Sequence, residues 1–90
     1  LDLPRTLRAG YDSDALCKKV VENIEQFPAF EWRDDLLLVH TQGRTACVVP
    51  DVLNDGRRLR EVILSHAHEV IGHFGFRKTL EYVRQWFWWP

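Results

Sequence analysis

Three of the four histidines fall within eight positions, in the run Ser65-His66-Ala67-His68-Glu69-Val70-Ile71-Gly72-His73-Phe74-Gly75. Four residues separate His68 from His73, inside the three-to-five-residue gap that lets two imidazoles reach one tetrahedral zinc. A helix end followed by a short turn would bring both rings to one point, and neutral imidazole nitrogens suit a borderline-soft cation. Gly72 and Gly75, on either side of His73, permit the tight backbone such a turn needs. Two metal-free readings stand beside this one. A histidine near a helix C-terminus interacts favourably with the helix dipole, and His66 on an inner helical stripe can be a half-buried, hydrogen-bonded ring.

Other residue groups invite chemistry less specifically. Arg57, Arg58, Arg60, Arg77, Lys78 and Arg84 are the basic side chains of the C-terminal third and could touch phosphates; a solvated helix face is the alternative. Trp86, Trp88 and Trp89 beside Arg84 could stack on bases, but at helical spacing Trp86 and Phe87 are expected in the core. Lys78-Thr79 lacks the glycines of a phosphate loop. Asp12, Asp14, Asp34 and Asp35 read as cap and turn residues rather than catalytic pairs. Nothing local supports a Cys47–His nucleophile.

The elements that must position these groups follow from periodicity. Residues 1–10 read as an extended lead-in, with Pro4 and Gly10 as breakers. Leu16, Val20, Ile24 and Phe27 recur at intervals of four, four and three, predicting a helix from about Ser13 to Gln26, capped by Asp12, stapled by Tyr11 and Leu16, and ended by Pro28. Leu36–Val39 and Ala46–Val49 are β-compatible apolar runs joined by a polar, Gly-containing loop over residues 40–45, the signature of a hairpin. Asn54-Asp55-Gly56 is turn chemistry. A second helix is expected over Arg57–Ala67 and a third over Arg77–Trp88, the latter with Phe76, Leu80, Val83 and Phe87 on its inner stripe. The expected architecture is α+β: an N-terminal helix and β-hairpin (residues 11–56) packed on a C-terminal helix-turn-helix-like pair (residues 57–90).

Length and charge limit what such a chain does. Ninety residues make one domain, too short for a nucleotide-binding α/β domain or a TIM barrel, and marginal unless a metal or partner contributes. The net charge of −1 divides unevenly: residues 1–56 carry −4 and residues 57–90 carry +3. A basic C-terminal part can approach phosphate. Two isolated cysteines, Cys17 and Cys47, do not make a disulfide framework and read as small buried hydrophobes in a reducing compartment. No apolar run reaches transmembrane length, so no membrane role is expected. The start at Leu1 and the end at Trp88-Trp89-Pro90 read as the limits of a piece of something longer.

The string from His68-Glu69-Val70-Ile71-Gly72-His73-Phe74-Gly75-Phe76-Arg77-Lys78-Thr79-Leu80 to Trp86-Phe87-Trp88-Trp89-Pro90 closely resembles the integrase zinc-binding domain of gypsy-type LTR retrotransposons. That pattern reads His, short loop, Gly-His-Phe-Gly, Lys-Thr-Leu, then an aromatic cluster closing in Trp-Pro. Residues 11–50 are also similar to the segment that precedes this domain in retroelement polyproteins. The resemblance implies that His68 and His73 are the paired histidines of a two-histidine, two-cysteine zinc site. His66 is the weaker candidate, since it leaves a six-residue gap and sits earlier on the helix. The family's Cys-x-x-Cys pair follows the Trp-Pro and is not among these residues, and neither Cys17 nor Cys47 sits in such a motif. Tightly bound zinc is therefore not expected unless Cys17, Cys47, Glu69 or a neighbouring molecule completes the shell.

The resemblance further implies a non-catalytic accessory to integration. It would help bind element-end DNA and multimerise, with self-association through the C-terminal aromatic cluster and no small-molecule substrate. The carboxylate-triad core would lie elsewhere in the parent protein, which would reside in the nucleus or a virus-like particle. The alternative is a domesticated DNA-binding or protein-interaction module that has lost the integrase reaction.

Overall fold

A computed structural model describes residues 2–71 and 75–90. His73 and Gly72, singled out above, lie outside the described residues, as does the side chain of Phe76.

The expected extended lead-in is helical over residues 3–10. Leu3–Gly10 form helix α1, capped by Asp2, whose Oδ1 accepts from the Arg5 N–H at 3.3 Å. Pro4 falls in the first turn, where its missing N–H has no intrahelical role, so it starts this helix rather than preventing it. Gly10 closes α1 against the chain that follows the hairpin. A Cβ there would come within 2.8 Å of Pro50 Cγ and 3.0 Å of Val52 Cγ2.

Helix α2 spans Ala15–Glu22, shorter than the periodicity predicts. Its cap is Asp14 rather than Asp12, with Asp14 Oδ1 accepting from the Cys17 N–H at 2.9 Å. The Tyr11–Leu16 staple does not form, because Tyr11 turns into the core and Leu16 faces outward. The Tyr11 hydroxyl donates to the Val48 carbonyl at 2.9 Å. Asn23 ends the helix: its Nδ2 donates to the Lys19 carbonyl at 2.9 Å, a side-chain competitor for the helical ladder. A short 3₁₀ turn over Ile24–Gln26 carries the apolar stripe onward to Phe27.

Three antiparallel strands follow: β1 (Phe30–Arg33), β2 (Leu36–Thr41) and β3 (Arg44–Val48). The expected hairpin is β2–β3, with Val39 opposite Ala46 and Leu38 opposite Cys47. Its loop is tighter than predicted. His40 and Thr41 pair with Thr45 and Arg44, leaving only Gln42 and Gly43 as the turn, at φ values of 52° and 76°. Two consecutive left-handed residues twist in the sense that matches the strands. The same device makes the unanticipated strand β1. Asp34 and Asp35 both have positive φ, 54° and 59°, so the pair forms a hairpin turn instead of merely preceding a strand. Leu37, Val39, Ala46 and Val48 point to one face and are buried.

A small hairpin, β4 (Leu53–Asn54) and β5 (Arg57–Arg58), turns at Asp55-Gly56 and feeds α3 (Leu59–Ile71). Helix α4 (Phe76–Trp86) then packs on α3. It stops two residues sooner than expected. Phe87–Trp88 extend as β6 and pair in parallel with Cys47–Val48, and the Val49 N–H donates to the Trp88 carbonyl at 2.9 Å. The open edge of β3 needed backbone partners, and aromatic residues suit a strand. The sheet order is β1-β2-β3-β6. One core, including Tyr11, Val20, Leu37, Val48, Leu59 and Val83, joins both halves of an α+β fold.

Candidate metal centre and basic surface

Helix α3 buries Leu59, Val62, Ile63 and Ala67, a spacing of three, one and four that turns the intervening positions to solvent. His66 and His68 are therefore exposed, not half-buried on the inner stripe. His68 stands in the last turn of α3, immediately before the four-residue connection, 72–75, that contains His73 and leads into α4. His66 borders an apolar groove of about 270 Å³ between α3 and α4, with Val62, Val70, Tyr82 and Phe87 among its walls.

Among the described residues, no three His, Cys, Asp or Glu side chains gather into a metal site. The cysteines do not make good the shortfall. Cys17 is buried under α2, and burial, then the Asp14 carboxylate, push its thiol up to about 12. Cys47 is half-buried with its sulfur 3.6 Å from the Tyr11 hydroxyl, and burial raises its thiol too. Zinc takes thiolate, which burial disfavours at both positions, and neither cysteine belongs to a group of three ligand-type side chains among the described residues. The described residues do not make a complete zinc shell.

The six basic residues separate into distinct groups. Arg57 and Arg58 lie on β5, with Arg58 Nη1 2.9 Å from Asp51 Oδ1. Lys78 meets Glu81 one turn on at 3.5 Å. Arg77 and Arg84 are exposed on α4. Arg60 differs from all of these. Its side chain is only 20% exposed, it donates to the Val49 carbonyl from Nε at 3.2 Å and from Nη2 at 3.1 Å, and its Nη2 lies 3.7 Å from Asp14 Oδ2. The guanidinium also sits 5.8 Å from the Trp89 ring centre. Arg60 thus ties the start of α2, the residue after β3, α3 and the C-terminal aromatic run together, and its guanidinium is turned inward.

Asp14 is the other half of that node. Burial alone would raise its carboxyl, but the N–H groups of Cys17 and Asp51, the latter at 2.7 Å, and the nearby Arg60 hold it below the usual carboxylate range. On the outer face of the sheet, hydrogen bonds from Arg33 and then His40 hold Glu31 low as well; His40 Nε2 is 2.9 Å from Glu31 Oε1 and its Nδ1 is 2.8 Å from Thr45 Oγ1.

The aromatic run corrects one expectation and refines another. Trp86 is 59% exposed rather than in the core. Thr79 and Val83 occupy the inner face of α4, and once the helix ends at Trp86 the extended Phe87 takes the next inward place. Trp88 packs edge-on against Phe30 with ring centres 5.9 Å apart. Sequence reading missed Arg44. From the β2–β3 turn its Nε donates to the Arg84 carbonyl at 2.6 Å and its Nη1 to Gln42 Oε1 at 3.1 Å. No local signal marks it, because its chief partner is 40 positions away.

With α3, the His68 of its last turn and α4 described, comparison with known families is informative. Residues 56–90 match the integrase zinc binding domain. The match starts at the β4–β5 turn and takes in α3, α4 and β6, while α1, α2 and the three-stranded meander lie outside it. No curated protein and no solved structure matches the chain. Among the described residues, no helix is long and apolar enough to cross a membrane.

Proposed function

We propose that this chain is a non-catalytic accessory module of a gypsy-type retrotransposon integrase. In this reading, residues 56–90 are the histidine-bearing part of a two-histidine, two-cysteine zinc module that helps the parent protein bind element-end DNA and multimerise in the nucleus or a virus-like particle. One observation carries it: the zinc-binding match takes in α3 and α4, with His68 in the last turn of α3 and His73 between the two helices in sequence. His68 and His73 would be ligands, and zinc in such a module organises the fold rather than performing chemistry. The charge of +3 over residues 57–90, with Arg57, Arg77 and Arg84 exposed, supports an approach to phosphate. Exposed Val70, Tyr82 and Trp86 supply apolar surface for self-association.

The test compares residues 1–90 with the same chain lengthened by its own downstream residues, with and without His68→Ala. The longer chain should hold about one zinc after dialysis, melt higher, and bind duplex DNA with steep salt dependence, and His68→Ala should remove the metal. A longer chain that contains a Cys-x-x-Cys pair yet gains neither zinc nor stability would overturn this reading. A parent reading frame lacking reverse transcriptase and a carboxylate-triad core would favour a domesticated module.

A further inference from the structure

A concave slot of about 510 Å³ runs between the β2–β3 turn and α4, with Gln42, Arg44, Leu80, Arg84, Trp88 and Trp89 among its walls. A separate, shallower depression on α4, bordered by Arg77, Leu80, Glu81 and Arg84, shares Leu80 and Arg84 with it. Arg77 and Arg84 are seven positions apart, so they lie on one helical face about 10 Å apart along the axis. Glu81 is the one carboxylate side chain in these walls, and it is already paired with Lys78. Arg44 and Arg84 thus give the slot a cationic side, and Arg77 extends it across the adjoining depression.

Its chemistry is mixed and preorganised. Two hydrogen bonds hold the Arg44 guanidinium at the C-terminal end of α4 while leaving Nη2 without a partner among the described residues. Trp88 and Trp89 are half-buried, steadied by Phe30 and Arg60 respectively, and still line the slot. Reading a duplex requires an element that projects into a groove. A concave channel with cations on one side and indoles in its wall instead receives a flexible backbone and an unpaired base. We propose that this slot binds single-stranded nucleic acid, with phosphates on Arg44, Arg77 and Arg84 and a base against the Trp88–Trp89 wall. The proposal rests on the nucleic-acid reading above for its partner class. It adds a contact from the upstream hairpin, outside the zinc-binding match, and a requirement for an unpaired strand.

The test uses the 90-residue chain and fluorescence anisotropy with labelled oligomers of about 12 nucleotides: oligo-dT, oligo-rU and a duplex of the same length. One or both single strands should bind at least about tenfold tighter than the duplex, with affinity falling as salt rises from about 50 to 200 mM. Comparing the dT and rU arms distinguishes DNA from RNA. Arg77→Gln with Arg84→Gln, both at exposed positions, should weaken single-strand binding about tenfold without changing the melting curve, and Arg44→Gln should weaken it further. Lys18→Gln with Lys19→Gln, at exposed positions of α2, should leave it unchanged. Duplex binding as tight as single-strand binding, lost on changing Arg57 and Arg58, would sink the slot and leave the accessory reading standing. Single-strand binding untouched by Arg77→Gln with Arg84→Gln would also sink it. Absence of binding to any of the three probes would remove both the slot and nucleic-acid contact by this chain.

Discussion

In residues 2–54 the polar groups that enter the interior meet fixed partners: Asp14 caps α2, accepts from Asp51 and faces Arg60, and the Tyr11 hydroxyl reaches Val48. In residues 56–90 Arg60 and Thr79 also turn inward to fixed partners, but most of the basic and histidine side chains turn outward. Arg57, Arg77, Arg84, His66 and His68 project into solvent, and Trp86, Tyr82 and Val70 are exposed apolar side chains. The first region behaves as a scaffold that satisfies itself. The second borrows that scaffold, through β6 on the edge of β3 and Arg60 on Asp14, and leaves its own chemistry facing outward. A segment that matches a zinc-binding domain thus obtains part of its support from upstream residues that the match does not include.

The sharpest way to break this contrast is to cut the core on the scaffold side. Leu37 is fully buried on the sheet face, so Leu37→Ala should cost about 3–4 kcal/mol in urea unfolding. Asp14→Ala should come close, about 3 kcal/mol, since it removes a cap, the Asp51 contact and the partner of a mostly buried arginine. The same residue predicts an acid dependence. Its carboxyl is held low in the fold, so its contribution is complete above the unfolded value near pH 4 and is lost as pH falls through the folded value. Melting between about pH 5 and 2 should therefore steepen with acid in the wild type and flatten in Asp14→Asn. Gly10→Ala should cost about 1–2 kcal/mol, because its methyl would meet Pro50 at 2.8 Å. Trp86→Ser should be the smallest, within about 0.5 kcal/mol of wild type, while reducing any concentration-dependent association seen by sedimentation. If Trp86→Ser destabilised the chain as much as Leu37→Ala, the division into scaffold and outward-facing surface would be wrong.

The parts of the fold that were legible were those whose energetics are local. Leu36–Val39 and Ala46–Val49 with Gly43 between them declare a hairpin, and the stripe of α3 declares a helix. Strand β1 was not legible, because its turn is made by two aspartates in left-handed conformation rather than by the expected Asn-Gly or Asp-Gly. Helix α1 was hidden by Pro4, which reads as a breaker until its place in the first turn is known. Helix α4 ended early because a strand edge lay within reach of Phe87, which periodicity cannot register. For the candidate site, the spacing of His68 and His73 was readable; α3 runs to Ile71, four residues past the expected end at Ala67, which puts His68 inside its last turn, and His73 lies outside the described residues.

By itself, then, the sequence determined the β2–β3 hairpin, helices over much of α2, α3 and α4, the spacing of His68 and His73 and the charge excess of its C-terminal third, because spacing and composition act over a few residues. Only the tertiary structure decided what each charge and ring is used for. Arg60 and Arg84 are both arginines on predicted helices, yet one is enclosed by Asp14, Val49 and Trp89 while the other faces solvent beside the Arg44 guanidinium. That difference lies in partners tens of residues away, whose desolvation and hydrogen bonding exist only once the chain has closed on itself.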